Sequence, residues 1–267
     1  MSRRVPFALL IALCAVNLLP VWLLVKQAIT PEAESFAWPP TWWPRTLTLA
    51  NLREVGGVVD LMGSLARSAG VALAAVALAL VLALPAAWLA ARRPDADRPL
   101  DAALVAARLL PPVALAIPLA ALFVRAGLYN QPSAIGLVLA HALLALPFAF
   151  FVLRSGFAAL PRDLEEAALL DGAHPARVFW SVSLPLVRPS LAAAALLSFL
   201  VSWDDFAFAL LLQVTERTLP PLLYYLSAFG HPGLASAVAL VLLLPALLLV
   251  AILEPALRAG VLAGSSR

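Results

Sequence analysis

Six blocks of apolar residues, each about as long as a bilayer core is thick, constrain this chain more than any other feature. A helix needs about 20 apolar residues to cross that core. The blocks lie at residues 7–25, 69–91, 104–124, 135–152, 190–212 and 235–253. Charged residues make up 12% of the chain, whereas soluble domains contain about 25%. The sequence therefore predicts an all-α, polytopic membrane protein with six transmembrane helices and a single domain over residues 1–267.

The basic residues divide unequally between the two sets of loops that six spans create. The loops on the side of the N-terminus hold Arg3, Arg4, Arg92, Arg93, Arg98, Arg154, Arg162, Arg177, Arg188, Arg258 and Arg267. The opposite loops hold only Lys26, Arg45, Arg53, Arg67, Arg125 and Arg217, and Arg108 lies inside the third block. Because cytoplasmic loops carry the excess of Lys and Arg, both termini are expected in the cytoplasm of a multi-pass inner-membrane protein.

The first block could instead belong to a cleaved signal peptide, since Ser2, Arg3 and Arg4 precede it. Its 19 apolar residues exceed the usual signal-peptide core of about 7–15, and no small-x-small cleavage site follows before Pro31. An uncleaved first span is the favoured interpretation.

Several function classes lack their required residues. Cys14 is the single cysteine, and the three histidines lie far apart in the sequence, so no metal site is expected. The chain has no P-loop, so any ATP and Mg must be bound by another subunit. No basic-aromatic run predicts nucleic-acid binding. We therefore expect a chain that is not an enzyme and binds no cofactor itself.

The loop between the fourth and fifth blocks has the pattern of two short helices outside the membrane. Asp163 is predicted as the N-cap of the first, with Glu166 closing a capping box and Gly172 in a left-handed C-terminal cap. The second helix is predicted to begin at Pro175 and to stop before Pro185. Ala167 and Ala168 give one smooth face for close docking on a partner, but Glu166 could equally serve only as a cap.

The spacing Glu166-Ala167-Ala168, then Gly172, Val182 and Leu184-Pro185, resembles the EAA loop of binding-protein-dependent ABC permeases. Val182 in place of isoleucine is the sole departure. The resemblance covers about residues 60–264 and implies a cytoplasmic coupling helix that docks on an ATPase dimer. The implied coupling residues are Glu166, Ala167, Ala168, Asp171, Gly172, Leu184 and Pro185.

Further along, Trp203-Asp204-Asp205-Phe206 is similar to the W-N-[DE]-F segment of the carbohydrate-importing branch, the group of the smaller maltose-type permease subunit. A Gly-x-x-x-Gly tail at Gly260 and Gly264 also matches that branch. The resemblance implies half of a sugar pathway that works by alternating access. Asp204 replaces the asparagine, however, and an Asp-Asp pair here is also similar to polyamine permeases, so another small polar solute stays an alternative.

The four residues Trp203 to Phe206 are expected to line the translocation path or a gate. A carboxylate facing lipid costs about 2.5–3.5 kcal/mol at the centre of the bilayer, so Asp204 and Asp205 should face a cavity or a partner. A plain helix–helix contact and a position at the interface are the alternatives. An ion-coupled transporter that uses these carboxylates would commonly contain a repeat of its spans, and no such repeat is evident.

Two loops on the expected external side are longer than simple connections. Loop 26–68 contains Trp38, Trp42 and Trp43, which suit the membrane interface. In related permeases the loop corresponding to 213–233 faces the solute-binding protein, which implies contacts through Glu216, Arg217, Tyr224 and Tyr225. The expected partners are therefore a homologous permease, the ATPase dimer, the binding protein and the lipid bilayer.

Fusions to topology reporters test the six-span arrangement. A reporter fused within residues 213–230 is expected to be active only outside the cytoplasm, whereas one fused within residues 159–174 is expected to be active inside. Cytoplasmic activity from the first fusion would contradict the arrangement.

Overall fold

The computed structural model describes residues 4–93 and 98–264, and the described part is helical without β-strands. Arg3 and Arg267, used above to predict orientation, and Ser2, considered for a signal peptide, lie outside it. The helices are α1 (Arg4–Ala28), α2 (Glu32–Ser35), α3 (Ala50–Val58), α4 (Leu61–Arg92), α5 (Arg98–Leu109), α6 (Pro112–Ala126), α7 (Ile135–Ala158), α8 (Arg162–Leu170), α9 (Pro175–Val178), a π-turn (Phe179–Ser183), α10 (Leu184–Leu186), α11 (Arg188–Trp203), α12 (Ala207–Leu212), α13 (Leu219–Ala228) and α14 (Pro232–Gly264).

Four of the described helices are long and apolar enough to cross a membrane, namely α1, α4, α7 and α14. Two bent helix pairs meet the same test, so the described chain has six spans if each pair counts as one. The all-helical, multi-span prediction is therefore confirmed. The lengths differ in places: α7 extends to Ala158, beyond the predicted end at Val152.

The third predicted span, residues 104–124, is bent in the structure. Helices α5 and α6 meet at an angle of 99°. Pro111 and Pro112 lie at the bend, and α6 begins at Pro112. Proline disfavours helical geometry in the residue before it and lacks the N–H that would continue the helix. Two consecutive prolines therefore end α5 and restart the chain in a new direction.

The fifth span is also not one straight helix. Helix α11 ends at Trp203, residues 204–206 are not helical, and α12 then begins at Ala207. At its start, the helical segment Pro175–Leu186 meets Arg188–Trp203 at 78°.

The prediction that the second loop helix stops before Pro185 is wrong, because its helical conformation continues to Leu186. A π-turn precedes Pro185, and the Leu184 N–H donates to the carbonyl of Phe179, five residues back. Proline has no N–H to donate, and here it lies directly after the point where the hydrogen-bond spacing changes.

The described helices form two compact units. The larger comprises residues 67–217 and 246–267. In it α7 packs along α11, and alanines at the contacts, including Ala149 and Ala194, are fully buried. Small residues let helix backbones approach closely, which matters in a membrane because lipid removes most of the hydrophobic driving force between helices. At Gly156 the two helices approach so closely that a Cβ on this residue would overlap the side chain of Ser190.

The smaller unit comprises residues 1–66 and 218–245. Its buried Asn51 donates to the carbonyl oxygens of Ala28 at 3.1 Å and Thr30 at 2.9 Å. A Cβ on Gly233 would lie 2.5 Å from the Asn51 amide nitrogen, so the glycine makes room for this side chain. The Trp22 and Trp43 rings lie 4.6 Å apart. The Trp-rich loop is therefore folded back on α1.

Paired glycine substitutions test the close packing of α7. Gly156→Ala is expected to lower the free energy of unfolding by about 1–3 kcal/mol, as overpacking does, because Ser190 has to move. Gly70→Ala in α4 meets nothing within 4 Å and should be neutral or stabilising by about 0.5–1 kcal/mol. Thermal unfolding in detergent measures both, and adding Ser190→Gly should rescue Gly156→Ala. Equal midpoints for the two alanine variants would contradict this packing.

Candidate functional site

Helix α8, which carries Glu166, Ala167 and Ala168, begins earlier than predicted. Its N-cap is Pro161, and no side chain caps it, so the predicted capping box of Asp163 and Glu166 is wrong. Pro161 is extended, with ψ at 127°, and Arg162 is already helical. Asp163 therefore lies inside the first turn, where a negative charge favours the helix dipole. The Glu166 side chain, which caps nothing, makes no hydrogen bond to any residue that the structure describes.

The end of α8 is as predicted. Gly172 has a φ of +85°, in the left-handed region. The N–H of Gly172 donates to the carbonyl of Leu169, and that of Ala173 donates to the carbonyl of Ala168, each at 3.0 Å. These two bonds form a Schellman motif, which glycine adopts without steric cost. Asp171 precedes the turn and is exposed.

Helix α8 has two different faces. Asp163, Glu166, Ala167 and Leu170 recur at helical spacing and are all exposed. Leu170, a large apolar side chain, is 89% exposed. We call these four residues the outer face. The opposite side carries the buried Glu165 and the partly buried Ala168, so the two alanines of the motif have different surroundings.

Glu165 is the centre of a buried polar cluster that sequence reasoning missed. Its carboxylate accepts hydrogen bonds from Trp88 Nε1 at 3.0 Å, Arg92 Nε at 2.7 Å, Arg92 Nη2 at 2.6 Å and Ser183 Oγ at 2.5 Å. Arg92 Nη1 also donates to the carbonyl of Phe157 at 2.9 Å. We call Glu165, Arg92, Trp88 and Ser183 the Glu165 cluster; it connects α4, α8 and the π-turn.

These contacts set the charge state of Glu165. Burial by itself would raise the pKa of this carboxyl, but hydrogen bonds from Arg92, Ser183 and Trp88, together with the charge of Arg92, lower it to about 2. A depressed pKa means that the carboxylate stabilises the fold above its ordinary pKa of 4.5 and that this stability is lost as the pH falls toward 2.

The other predicted coupling residues lie apart from the outer face. Leu184 and Pro185 are in α10, after the π-turn, and both are partly buried. Leu184 packs against the apolar core around Phe157 and Phe179. Their surroundings are those of packing residues.

The Asp204–Asp205 pair lies in the break between α11 and α12, and its two carboxylates differ. Asp205 Oδ2 accepts the N–H of Ala209 at 3.0 Å and lies 3.2 Å from Nε2 of the buried His141, whose Nδ1 is 2.7 Å from Ser202 Oγ. Asp205 therefore hydrogen-bonds the first turn of α12, whose N-cap residue is Phe206, and lies against His141 of α7. Asp204, at the end of α11, is exposed.

The aromatic residues beside this pair also differ. The ring of the buried Trp203 stacks on Phe199 with centroids 5.3 Å apart, whereas Phe206 is partly exposed. Among the described residues no group of three metal-ligating side chains occurs, at this break or elsewhere.

Residues of the predicted binding-protein loop fall in both units. Glu216 pairs with Arg67 at 2.5 Å, and the same arginine donates to the carbonyl of Arg217 at 3.2 Å. Tyr224 and Tyr225 lie on α13 and are both exposed, with the Tyr225 ring 4.4 Å from that of Phe229. The loop thus has regular structure, which its sequence did not reveal.

Comparisons with known proteins agree with this architecture. The chain is 37% identical over 227 residues to a putative ABC transporter permease protein from Streptomyces antibioticus, covering 83% of this chain and 98% of that one. It is 33% identical to the sulfoquinovosyl glycerol transport system permease SmoH of Agrobacterium fabrum, over 91% of this chain and 86% of that one. It is equally similar, at 33%, to the trehalose transport system permease SugB of Mycobacterium tuberculosis, over 83% of each chain.

A solved bacterial ABC transporter involved in the import of the acidic polysaccharide alginate has the same fold. The TM-score is 0.76 at 19% identity, over 96% of this chain and 98% of that one. Residues 79–259 match the model of one transport family. That region includes α8, the Glu165 cluster and the Asp204–Asp205 break. The chain belongs to the family of inner membrane components of binding-protein-dependent transport systems.

Proposed function

We propose that this permease forms half of the translocation pathway of an ATP-driven importer for a sugar or oligosaccharide and couples to a separate ATPase through the outer face of α8. The observation that supports coupling is the exposure of the outer face. Leu170 is 89% exposed on a helix too short to cross a bilayer, and it lies beside the small Ala167 and the charged Glu166. An exposed apolar side chain between a small residue and a charge suits a protein partner.

The relatives favour a sugar as the substrate. Those with named substrates carry sulfoquinovosyl glycerol and trehalose, and a further one from Streptomyces coelicolor is a diacetylchitobiose uptake permease. The unequal surroundings of Asp204 and Asp205 argue in the same direction. Asp205 already contacts the N–H of Ala209 and the ring of His141, so Asp204 is the one exposed carboxylate of the pair. A site for a polyamine, which carries several positive charges, would use several carboxylates.

The same difference weakens the alternative of ion-coupled transport. An ion site needs several oxygen ligands, and Asp205 already accepts the N–H of Ala209 in α12. We propose instead that Asp204 and Phe206 line the path and that Asp205 and Trp203 support it.

Membership of the family supports the proposed assembly. A homologous permease would complete the path, an ATPase dimer would bind ATP and Mg on the cytoplasmic side, on which we propose that both termini lie, and a solute-binding protein would dock outside. Tyr224 and Tyr225, exposed on α13, and the segment at Glu216 and Arg217 are the proposed contacts with it. Alternating access then follows from closure of the ATPase on α8.

Uptake by the assembled complex in proteoliposomes tests the function. We expect ATP-dependent accumulation of a sugar in the presence of the binding protein, unchanged when ionophores collapse ion gradients. Accumulation of polyamines but not of any sugar would overturn the proposed substrate class. Accumulation that requires an ion gradient and not ATP would overturn the proposed mechanism.

Two neighbouring substitutions separate the roles of the carboxylates in the same assay. Asp205→Ala is expected to lower thermal stability because it removes the acceptor of the Ala209 N–H and the contact with His141. Asp204→Ala should leave stability unchanged and alter the substrate concentration at half-maximal uptake. An equal loss of stability in both variants would contradict the division of roles.

Substitutions on the outer face test docking. Ala167→Leu keeps a good helix former but adds bulk, so association with the ATPase should fall at least tenfold while membrane insertion survives. Ala167→Ser is the matched small control. Glu166→Gln removes only the charge, and because Glu166 caps nothing, any loss of association reports an ion pair with the partner. Wild-type association and uptake in Ala167→Leu would refute docking through this face.

A further inference from the structure

The Glu165 cluster lies on the opposite side of α8 from the outer face, and the proposed function gives it no role. Glu165 is 8% exposed, although glutamate is almost never buried without a partner. Its partners are on two other segments of the chain: Trp88 and Arg92 near the end of α4, and Ser183 at the end of the π-turn. A buried charge with four hydrogen bonds is costly to build and is satisfied only in one geometry.

The geometry of the ion pair fixes more than a distance. Arg92 Nε donates to one carboxylate oxygen of Glu165 and Nη2 donates to the other, so the planar guanidinium meets the planar carboxylate with two parallel bonds. Apolar side chains in contact can slide over one another, but two parallel hydrogen bonds resist both sliding and rotation. The pair therefore fixes the orientation of α8 on the end of α4.

The π-turn extends this connection toward α11. It brings Ser183, which is fully buried, to 2.5 Å from the Glu165 carboxylate. Within the same turn, the Phe179 ring meets the Trp88 ring edge-on at 5.3 Å. The turn continues through α10 to α11, with Val187 between them. A single carboxylate thus holds together α8, the end of the long helix α4 and the segment that leads into α11.

We propose that Glu165 and Arg92 form the joint through which movement of α8 reaches the membrane-spanning helices α4 and α11. This inference rests on the proposed docking of α8 on an ATPase. Docking and transmission then use opposite faces of one helix: Glu166, Ala167 and Leu170 contact the partner, while Glu165 transfers the displacement inward. Glu165 and Arg92 are positioning residues and touch neither ATP nor the solute.

Glu165→Gln in the assembled complex tests the joint. Glutamine has nearly the same shape, but its amide nitrogen cannot accept a bond, so the two parallel bonds from Arg92 to two oxygens cannot both form, and its charge is lost. We expect association with the ATPase at the wild-type level and ATP hydrolysis that continues, while solute taken up per ATP hydrolysed falls at least tenfold. A residue that served stability alone would lower the amount of complex and leave this ratio unchanged.

Milder variants cover the case in which Glu165→Gln does not fold. Ser183→Ala removes one hydrogen bond, and Arg92→Lys keeps the charge but loses the parallel pair. Both variants should lower the solute taken up per ATP hydrolysed by a smaller factor than Glu165→Gln does. The effect of Glu165→Asp should be intermediate between theirs and that of Glu165→Gln. The neighbouring Glu166→Gln is the control, and its effect should appear in association with the ATPase.

Two results would overturn the proposed joint. The first is an unchanged ratio of solute taken up to ATP hydrolysed in assembled complexes of Glu165→Gln, or of Arg92→Lys if Glu165→Gln is not recovered. The second is a loss of ATPase association in Glu165→Gln equal to the loss in Glu166→Gln. Failure of docking itself would appear separately, as wild-type association in Ala167→Leu.

Discussion

Hydrocarbon offers no hydrogen bond to a peptide group, and two interruptions of the membrane-spanning helices in this permease meet that constraint locally. At the bend between α5 and α6, Pro111 and Pro112 have no N–H to leave unpaired. At the break after Trp203, the Asp205 carboxylate accepts the N–H of Ala209. At both places the chain changes direction where such compensation is available.

Adjacent acidic residues in this chain have different surroundings. Two pairs of adjacent carboxylates occur, Glu165–Glu166 and Asp204–Asp205, and in each pair one member is buried and bonded while the other is exposed. Neighbouring residues on a helix point about 100° apart, so Glu165 can face the interior while Glu166 faces outward. Asp204 and Asp205 lie in the non-helical break between α11 and α12, where the turn of the backbone separates their side chains. Each pair therefore combines a residue that fixes local structure with one that is available for contact. Glu166 is the residue that the sequence pattern singled out, whereas its neighbour Glu165 accepts four hydrogen bonds within the chain.

This division gives a physical picture of how the permease can respond to a partner. The outer face of α8 is small, mixed in polarity and exposed, which suits contact with a second protein. The inner face is held by directional bonds that apolar packing alone would not supply. A helix held in this way can move as a rigid body together with α4, because the two parallel hydrogen bonds between Arg92 and Glu165 resist sliding of α8 over α4.

Composition and the length of the apolar blocks determined the all-helical membrane fold, because burial in lipid depends on how many apolar residues follow one another and not on what they contact. Local chemistry also determined the Gly172 cap, since a left-handed residue after a short helix depends on its neighbours in the sequence. The N-cap of α8 escaped prediction because Pro161 and Asp163 both suit a helix start, and the backbone at Pro161 decided between them. Only the tertiary structure paired Arg92 with Glu165 and His141 with Asp205, because each pair joins residues more than sixty positions apart. Whether a carboxylate is buried or exposed depends on how helices distant in the sequence pack around it, and no local pattern encodes that packing.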